Sequence, residues 1–154
     1  MGTITSEFFG LFPIPPFPQP PSPPFLPPMN LGIKLWSTNK NYLAPARDLL
    51  AQGLCSYIEL YVVPGSASGY LDIWKGLDTP WILHAPHSLG GLNPSRREME
   101  SENLRALEDT GTFSEALSPN AVIFHPGMDG EIDETIRQFQ LFARKYPEVF
   151  RIAL

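Results

Sequence analysis

The chain of 154 residues has a single cysteine, few basic residues and no long apolar run. Cys55 stands alone, so an internal disulfide is impossible, and a reducing cytoplasm is the expected compartment. No stretch approaches the roughly 18 apolar residues that a membrane span needs, so no membrane partner is expected. Lys and Arg number 11 against 16 Asp and Glu, which gives a formal charge of −5. This balance disfavours electrostatic capture of nucleic acid, which usually depends on a basic patch.

Prolines are concentrated at the amino terminus. Residues 1–28 hold ten of the eighteen prolines, and residues 8–28 carry no charged side chain. Because proline lacks a backbone N–H and favours an extended polyproline II conformation, we expect a disordered tail without helix or sheet. A ligand for an SH3 or WW domain is a remote alternative, because no Arg or Lys precedes Lys34. Another interpretation is that the natural domain begins at Met29 and that residues 1–28 are an extension.

From residue 29 onward, predicted strands alternate with predicted helices. Short apolar runs predict strands at about 31–36, 57–62, 81–84, 121–125 and from 150 to the end of the chain. Helical spacing and end signals predict helices at about 43–52, 71–76, 95–117 and after Asp129 or Gly130. One apolar face is predicted for the last helix, made of Ile132, Ile136, Phe139, Phe142 (or Ala143) and Tyr146.

This alternation predicts an α/β fold with a parallel sheet covered by helices. Four units occupy residues 29–154, whereas an eight-unit TIM barrel needs about 250 residues. We therefore expect about half of a barrel at 29–154, preceded by the disordered tail at 1–28. A complete five-stranded sheet of flavodoxin type is the alternative, although no glycine-rich phosphate loop follows the first strand. The chain ends within a predicted strand, and the open edges of a half barrel would allow copies to self-associate.

Two of the apolar runs end in a histidine that is followed by proline. His84 ends the run Trp81–His84, and His125 ends the run at 121–125. Active sites of parallel α/β folds lie at the carboxyl ends of the strands. Since imidazoles from neighbouring strands can reach one divalent ion such as Zn or Mn, we predict that His84 and His125 are metal ligands. A catalytic zinc normally takes three protein ligands and a water, so the site is expected to be incomplete in this chain.

Three further polar residues lie near the predicted rim. Glu59 lies inside an apolar strand, where a carboxylate is costly unless it is paired or faces the rim. We predict that Glu59 and His87 bind substrate; the alternatives are a structural ion pair for Glu59 and a solvated side chain for His87. Asn93 is predicted to cap the next helix, because Pro94 suits the first helical position. No residue is singled out as the catalytic acid or base.

The motifs Ile58–Leu60, His84–His87 and His125–Gly127, in this order and spacing, resemble the xylose-isomerase-like TIM barrels. This superfamily includes endonuclease IV and the sugar (phosphate) isomerases and epimerases, and the resemblance covers the amino-terminal half of the fold. In endonuclease IV-like members, the residues that match His84 and His125 are zinc ligands. In the isomerases and epimerases these positions contribute to substrate binding, and later strands supply most of the metal ligands. A glutamate typically closes the fifth strand, around where this chain ends.

Three functions are weighed, the first two implied by the resemblance and the third by the length of the chain. The leading prediction is a fragment of a divalent-metal-dependent sugar (phosphate) isomerase or epimerase, which removes a proton from carbon next to a carbonyl. Its substrate would be a small sugar or sugar phosphate. The second is an endonuclease IV-like zinc phosphodiesterase that acts on abasic DNA, and only this alternative requires DNA as a partner. The third is a truncated half barrel without catalysis. The acidic charge favours the first prediction over the second.

Overall fold

The computed structural model of the chain describes residues 30–150, which form a four-stranded parallel sheet with helices. The strands are β1 (Gly32–Trp36), β2 (Tyr57–Tyr61), β3 (Trp81–His84) and β4 (Ala121–Ile123). The α-helices are α1 (Leu43–Ala51), α2 (Ala67–Lys75), α3 (Glu100–Leu117), α4 (Ile132–Lys145) and α5 (Pro147–Phe150). Short 3-10 turns occur at Lys40–Tyr42, Ser88–Gly90 and Arg97–Met99. The predicted alternation of strands and helices is confirmed from β1 to α4.

The strands lie side by side in the order β1-β2-β3-β4, and each neighbouring pair is parallel. Crossovers between parallel strands are right-handed in almost all proteins. When each crossover steps to the next strand in the same direction, every connecting helix lies on the same face of the sheet. A flavodoxin-type sheet instead reverses direction at a switch point and has the order 2-1-3-4-5. The four described strands do not follow that order.

Side chains alternate between the two faces of the sheet. On the helix-covered face, the buried residues are Leu35, Ile58, Leu60, Leu83 and Val122. They pack in one core with helix residues that include Ala46, Trp74, Leu107, Phe113 and Phe142. The opposite side, which we call the open face, carries Lys34, Trp36, Glu59, Tyr61, Ile82, His84 and Ile123, as the strand register requires. Trp36 is 56% exposed, whereas Tyr61 and His84 are buried, so the middle of the open face is the better-covered part.

Helix α2 begins four residues earlier than the sequence predicts. Its first turn is stabilised from outside the helix, because the Asp109 carboxylate of α3 accepts a hydrogen bond from the Ala67 N–H at 3.0 Å. A carboxylate at a helix N-terminus satisfies a free donor and complements the helix dipole. Such a tertiary cap cannot be recognised from the local sequence.

The apolar face predicted for α4 is wrong at its amino-terminal end. Ile132 and Ile136 are 66% and 51% exposed, whereas Thr135 and Gln138 are buried. The buried side chains are hydrogen-bonded: the Thr135 hydroxyl donates to the Pro126 carbonyl at 2.8 Å, and the Gln138 amide donates to the Arg96 carbonyl at 3.0 Å. Polar contacts therefore fix this half of the helix, and hydrophobic periodicity cannot detect them.

The strand predicted from residue 150 is wrong at its first residue and otherwise lies outside the described part of the chain. Phe150 ends the short helix α5. Its ring stacks on Phe124 with a centroid distance of 4.9 Å. The predicted tail at 1–28 also lies outside the described residues.

Candidate functional site

The two predicted metal ligands meet at the carboxyl ends of β3 and β4. His84 is the last residue of β3 and is 5% exposed, and His125 lies two residues beyond β4 on the surface. Their Nε2 atoms are 3.2 Å apart and their ring centroids are 5.0 Å apart. We call these two residues the histidine pair. The register of the parallel strands brings them together, because β3 and β4 are neighbours and end at the same rim.

The backbone fixes which nitrogen of His84 is free. Its Nδ1 lies 2.8 Å from the Ala85 carbonyl oxygen, which can only accept a hydrogen bond. We therefore assign the proton of the neutral ring to Nδ1, which leaves a lone pair on Nε2. Burial lowers the pKa of His84 below 6.5, and the Lys34 ammonium acts in the same direction. The neutral ring is thus favoured near pH 7, as metal ligation or acceptance of a hydrogen bond from His125 Nε2–H requires.

The geometry of the histidine pair fits one shared metal ion. Two imidazole nitrogens bound at about 2.0–2.1 Å in a tetrahedral zinc site lie about 3.3–3.4 Å apart. The observed separation of 3.2 Å is close to this value. Among residues 30–150, no group of three or more His, Cys, Asp or Glu side chains is arranged to hold a metal ion. Among the described residues, the histidine pair therefore offers two nitrogen atoms at the spacing that such a site would use.

His87 lies beside the histidine pair but has a different hydrogen-bonding role. Its ring centroid is 6.5 Å from that of His84 and 5.9 Å from that of His125. Its Nδ1 accepts a hydrogen bond from the Leu89 N–H at 3.2 Å. In the neutral ring the proton is therefore assigned to Nε2, which becomes a donor. This arrangement suits binding of a substrate oxygen better than metal ligation.

Glu59 lies on the open face and is paired with Lys34, its register neighbour on β1. The Lys34 Nζ is 2.7 Å from Glu59 Oε1, and the carboxylate side chain is 22% exposed. The ion pair that was the alternative for Glu59 is thus present. The pair also lies close enough to His84 for the two charges to act on its pKa in opposite directions.

A groove lies beside the histidine pair, and we call it the rim groove. It has a volume of about 560 Å³ and is lined by Lys34, Trp36, Tyr61, Val63, Pro64, His87, Leu89 and Gly90. The rings of Trp36, Tyr61 and His84 follow one another across three neighbouring strands, with centroid distances of 5.8 and 5.4 Å. Sequence reasoning missed Trp36 and Tyr61. The sequence signal that could have identified them is their alternation with the apolar residues of β1 and β2, which places Trp36 and Tyr61 on the face opposite the core.

Tyr61 forms the floor of the rim groove. It is 9% exposed, and its hydroxyl makes no hydrogen bond to another residue of the range 30–150. The hydroxyl packs against Gly90, where an added Cβ would lie closer than 3.0 Å to it. A side chain at position 90 would therefore displace this phenol or narrow the groove.

Asn93 ties together the loops that follow β3 and β4, so the prediction that it caps a helix is wrong. Its amide Nδ2 donates to the Met128 carbonyl at 2.9 Å, and its Oδ1 accepts from the Met128 N–H at 3.0 Å. Residue 100 is the first residue of α3, and Met99 occupies its N-cap position. The backbone of Gly127 lies close to Asn93 and Ser95, and a Cβ added at this position would collide with both residues. The φ of Gly127 is 101°, which also favours glycine. These contacts hold the loop of His125 against the loop of His87.

The site thus combines two imidazole nitrogens that face each other, a third imidazole with a donor, and a mostly apolar groove. Such a site can hold a small polar ligand by a few hydrogen bonds while one side of the ligand packs against aromatic rings. No helix among residues 30–150 is both long enough and apolar enough to cross a membrane. Comparison of the chain with models of protein families, with curated proteins and with solved structures finds no match.

Proposed function

We propose that residues 29–154 form half of a xylose-isomerase-like (β/α) barrel and that the protein acts as a divalent-metal-dependent sugar or sugar phosphate isomerase or epimerase. The observation that carries the proposal is the mostly apolar rim groove beside the histidine pair, in which the one lysine is already paired with Glu59 at 2.7 Å. The sequential strand order supports the barrel, since a (β/α) barrel adds each new strand on the same side of the last.

In this proposal, His84 and His125 hold a metal such as Zn or Mn, with further ligands from outside residues 30–150. A bound divalent ion would polarise the oxygens of the substrate. His87 donates its Nε2 proton to a substrate oxygen, and the Tyr61 hydroxyl forms a second hydrogen bond. Trp36 covers one side of the ligand and excludes water. The carboxylate of Glu59 is paired with the Lys34 ammonium and neutralises its charge. Glu59 therefore influences the substrate indirectly, through Lys34.

An endonuclease IV-like phosphodiesterase is the second candidate, and the histidine pair itself favours it. In that superfamily branch both matching histidines bind zinc, whereas in the isomerases the same positions contribute to substrate binding. Two features favour the sugar substrate. The formal charge is −5, and the lysine of the rim groove is already paired with Glu59. A DNA enzyme needs uncompensated cations for the phosphate backbone.

The first test measures binding of Zn²⁺ and Mn²⁺ by calorimetry to the full chain and to three variants. We expect one bound ion in the wild type, loss of binding in His84→Gln and in His125→Gln, and retention in His87→Gln. The last variant is the matched control, because it removes a neighbouring imidazole that the proposal leaves out of the ligand set. Absence of binding in the wild type, or equal loss in all three variants, would contradict the proposed ligand roles.

The second test separates the two chemistries. Metal-loaded protein is incubated in D₂O with a panel of aldoses, ketoses and their phosphates, and NMR follows deuterium uptake at the carbon next to the carbonyl. Uptake would support the isomerase or epimerase. Cleavage of abasic DNA with a steep salt dependence, and no deuterium uptake, would favour the second candidate. Metal binding with neither activity would support the non-catalytic half barrel.

A further inference from the structure

The large apolar side chains that remain exposed are concentrated at the two edges of the sheet. Among residues 30–150, nine large hydrophobic side chains are exposed, and eight belong to the first or the last strand–helix unit, which we call the edge units. On the first edge unit, residues 31–54, they are Leu31, Trp36, Tyr42 and Leu54. On the last edge unit, residues 121–145, they are Ile123, Met128, Ile132 and Ile136. The ninth is Leu89, which lies in a middle unit.

The exposed apolar stripe of α4 points away from α3. One flank of α4 faces α3, because the Gln138 side chain hydrogen-bonds Asn103 of α3 at 2.7 Å. Thr135 lies on the buried face. At about 100° per residue, Ile132 and Ile136 lie on the far side of that face from Gln138. Their flank therefore faces the position that a strand beyond β4 would occupy.

Both edge strands have one unpaired side within the described part of the chain. Among residues 30–150, β1 pairs only with β2, and β4 only with β3. An exposed strand edge is a site for pairing with another chain. The charges at the carboxyl rim differ between the edges: exposed Lys40 follows β1, whereas exposed Asp129 and Asp133 follow β4. None of these three forms a salt bridge within residues 30–150, so the β1 edge is complementary to the β4 edge.

We propose that two copies of the chain join through these edges, with β4 of each copy beside β1 of the other, and close an eight-stranded parallel barrel. A twofold axis along the barrel repeats the same contact at both junctions, so no edge remains. The inference rests on the half barrel proposed above, but not on any reaction at the histidine pair. The open face becomes the barrel interior. Because Lys34 and Glu59 are paired at 2.7 Å, closure buries no uncompensated ammonium or carboxylate there.

The exposed apolar area of the edge units is sufficient for a stable dimer. Their eight exposed side chains are between 36% and 66% exposed. At about 200 Å² for a large side chain, eight that are about half exposed present roughly 800 Å² in each copy. This equals the area of about 800 Å² that each partner buries in an interface of standard size. Interfaces of this size have a Kd of about 1 µM or below.

The geometry of a closed barrel fixes the register at each junction. A shear of 8 shifts the pairing by about eight residues over a full circuit, and twofold symmetry divides this into about four residues at each junction. Within one copy, Leu35, Leu60, Leu83 and Val122 are register partners in one row. The shift places Val122 beside residue 31 of the second copy instead of residue 35. The opposite shift would place β1 beside the end of α3, which is helical.

This register covers exposed side chains at both edges. Leu31 is 53% exposed and would pack beside Val122 of the other copy. Ile123 is 36% exposed and would lie beside Gly32 of the other copy. A side chain at Gly32 would collide with the Tyr57 ring, so that ring already fills the space above the glycine and offers an apolar surface to Ile123.

The second copy also closes one side of the histidine pair. His125 lies two residues beyond Ile123, so the same register brings Lys34 of the second copy beside it. The β4 side of the histidine pair, which is an open edge within residues 30–150, is then covered by β1 of the second copy. Each histidine pair of the dimer thus lies at a junction between the two copies.

Light scattering after size-exclusion chromatography of the full chain tests the dimer. At about 50 µM, well above a Kd of about 1 µM, the wild type should have twice the mass of one chain. Leu31→Lys and Ile136→Glu place a charge in the proposed junction, and each should raise the dimer Kd at least tenfold. Leu89→Glu is the matched control, because Leu89 is 92% exposed but lies outside both edge units, and it should leave the Kd unchanged. All three changes are at exposed positions, and circular dichroism verifies that each variant is folded.

Disulfide cross-linking tests the register. In a Cys55→Ala background, oxidation of Leu31→Cys/Val122→Cys should give a covalent dimer, because opposite residues of paired strands lie about 4.8 Å apart, within disulfide range. Leu35→Cys/Val122→Cys is the control and should not cross-link, since the shift separates these positions. Within one copy both pairs are three strand spacings apart, more than about 10 Å, so neither can form a bridge inside a chain.

Four results would overturn the proposal. A monomer at this concentration would mean that the edges do not join. Assemblies larger than a dimer, or a cross-link at 35–122 instead of 31–122, would mean that they join without closing a barrel. Equal dimerisation of the wild type and both charge variants would place the interface elsewhere. None of these measurements depends on metal binding or deuterium uptake, so this inference and the proposed reaction can fail separately.

Discussion

Gly90 and Tyr61 allow a sharp test of the floor of the rim groove. An alanine at position 90 places its Cβ against the Tyr61 hydroxyl, closer than 3.0 Å, and 3.4 Å from Pro86 Cβ. Overpacking of this kind typically costs about 1–3 kcal/mol. The next atom of the phenol, the ring carbon Cζ, is 3.6 Å from the added Cβ, which is ordinary contact. Removing the hydroxyl should therefore remove the clash.

The expected result is a strong coupling in a double-mutant cycle. Gly90→Ala should lower the free energy of unfolding by about 1–3 kcal/mol when Tyr61 is present. In the Tyr61→Phe background the same change should be neutral or stabilising by about 0.4–1 kcal/mol, because alanine restricts the unfolded chain. Gly90 is not one of the described glycines that have a positive φ, so its backbone conformation is open to alanine without strain.

Urea denaturation of the wild type, the two single variants and the double variant measures the coupling energy. A coupling of about 1 kcal/mol or more is expected. Tyr61→Phe alone should cost little, since its hydroxyl makes no hydrogen bond within residues 30–150. If Gly90→Ala had the same effect in both backgrounds, the hydroxyl would not lie against Gly90, and the assigned floor of the groove would be wrong.

Two further predictions concern the surroundings of the site. Because burial lowers the pKa of His84 below 6.5, the unfolded state binds more protons as the pH falls through 6.5. The free energy of unfolding should then decrease on acidification by at most about 1.4 kcal/mol per pH unit for this one proton. His84→Asn keeps a donor for the Ala85 carbonyl and should flatten this slope in urea titrations between pH 7 and 5; an unchanged slope would contradict the assignment. The buried Asn103 amide bonds the backbone N–H and carbonyl of Asn93 and the Gln138 side chain. Asn103→Leu leaves three polar groups unpaired and should cost at least about 3 kcal/mol, at about 1 kcal/mol or more for each; a loss below about 1 kcal/mol in the same assay would rule out the network.

The strands and the histidine pair were predictable because each depends on local patterns. Trp81–His84 is a buried strand that ends in histidine, and parallel strands bring their carboxyl ends to one rim. The pairing of His84 with His125 follows once β3 and β4 are neighbours. The alternation of side chains along β1 also places Lys34 and Trp36 on the same face of the sheet. Recognising a groove there, however, requires knowledge of the loops that close it.

The remaining features depend on tertiary contacts between polar groups. Gln138 and Thr135 replace the apolar face expected at the start of α4. Gln138 bonds Asn103, 35 residues away, and Thr135 bonds the Pro126 carbonyl in the loop before the helix. Asn93 resembles a helix cap in sequence, but its side chain bonds Met128, 35 residues away. Hydrophobic periodicity detects burial by area, and it has no signal for a polar side chain whose burial is offset by specific hydrogen bonds.

These polar contacts also explain why the histidines have a defined separation. His84 is held by the β3 ladder and by its bond to the Ala85 carbonyl, whereas His125 lies in a loop beyond β4. A loop residue alone would sample many positions, because loops carry few fixed contacts. Asn93 limits this freedom, since both of its side-chain amide atoms bond the Met128 backbone three residues after His125. Gly127 permits that close approach. The 3.2 Å approach of the two imidazoles is therefore a property of the paired loops, and a metal would find two ligands already oriented.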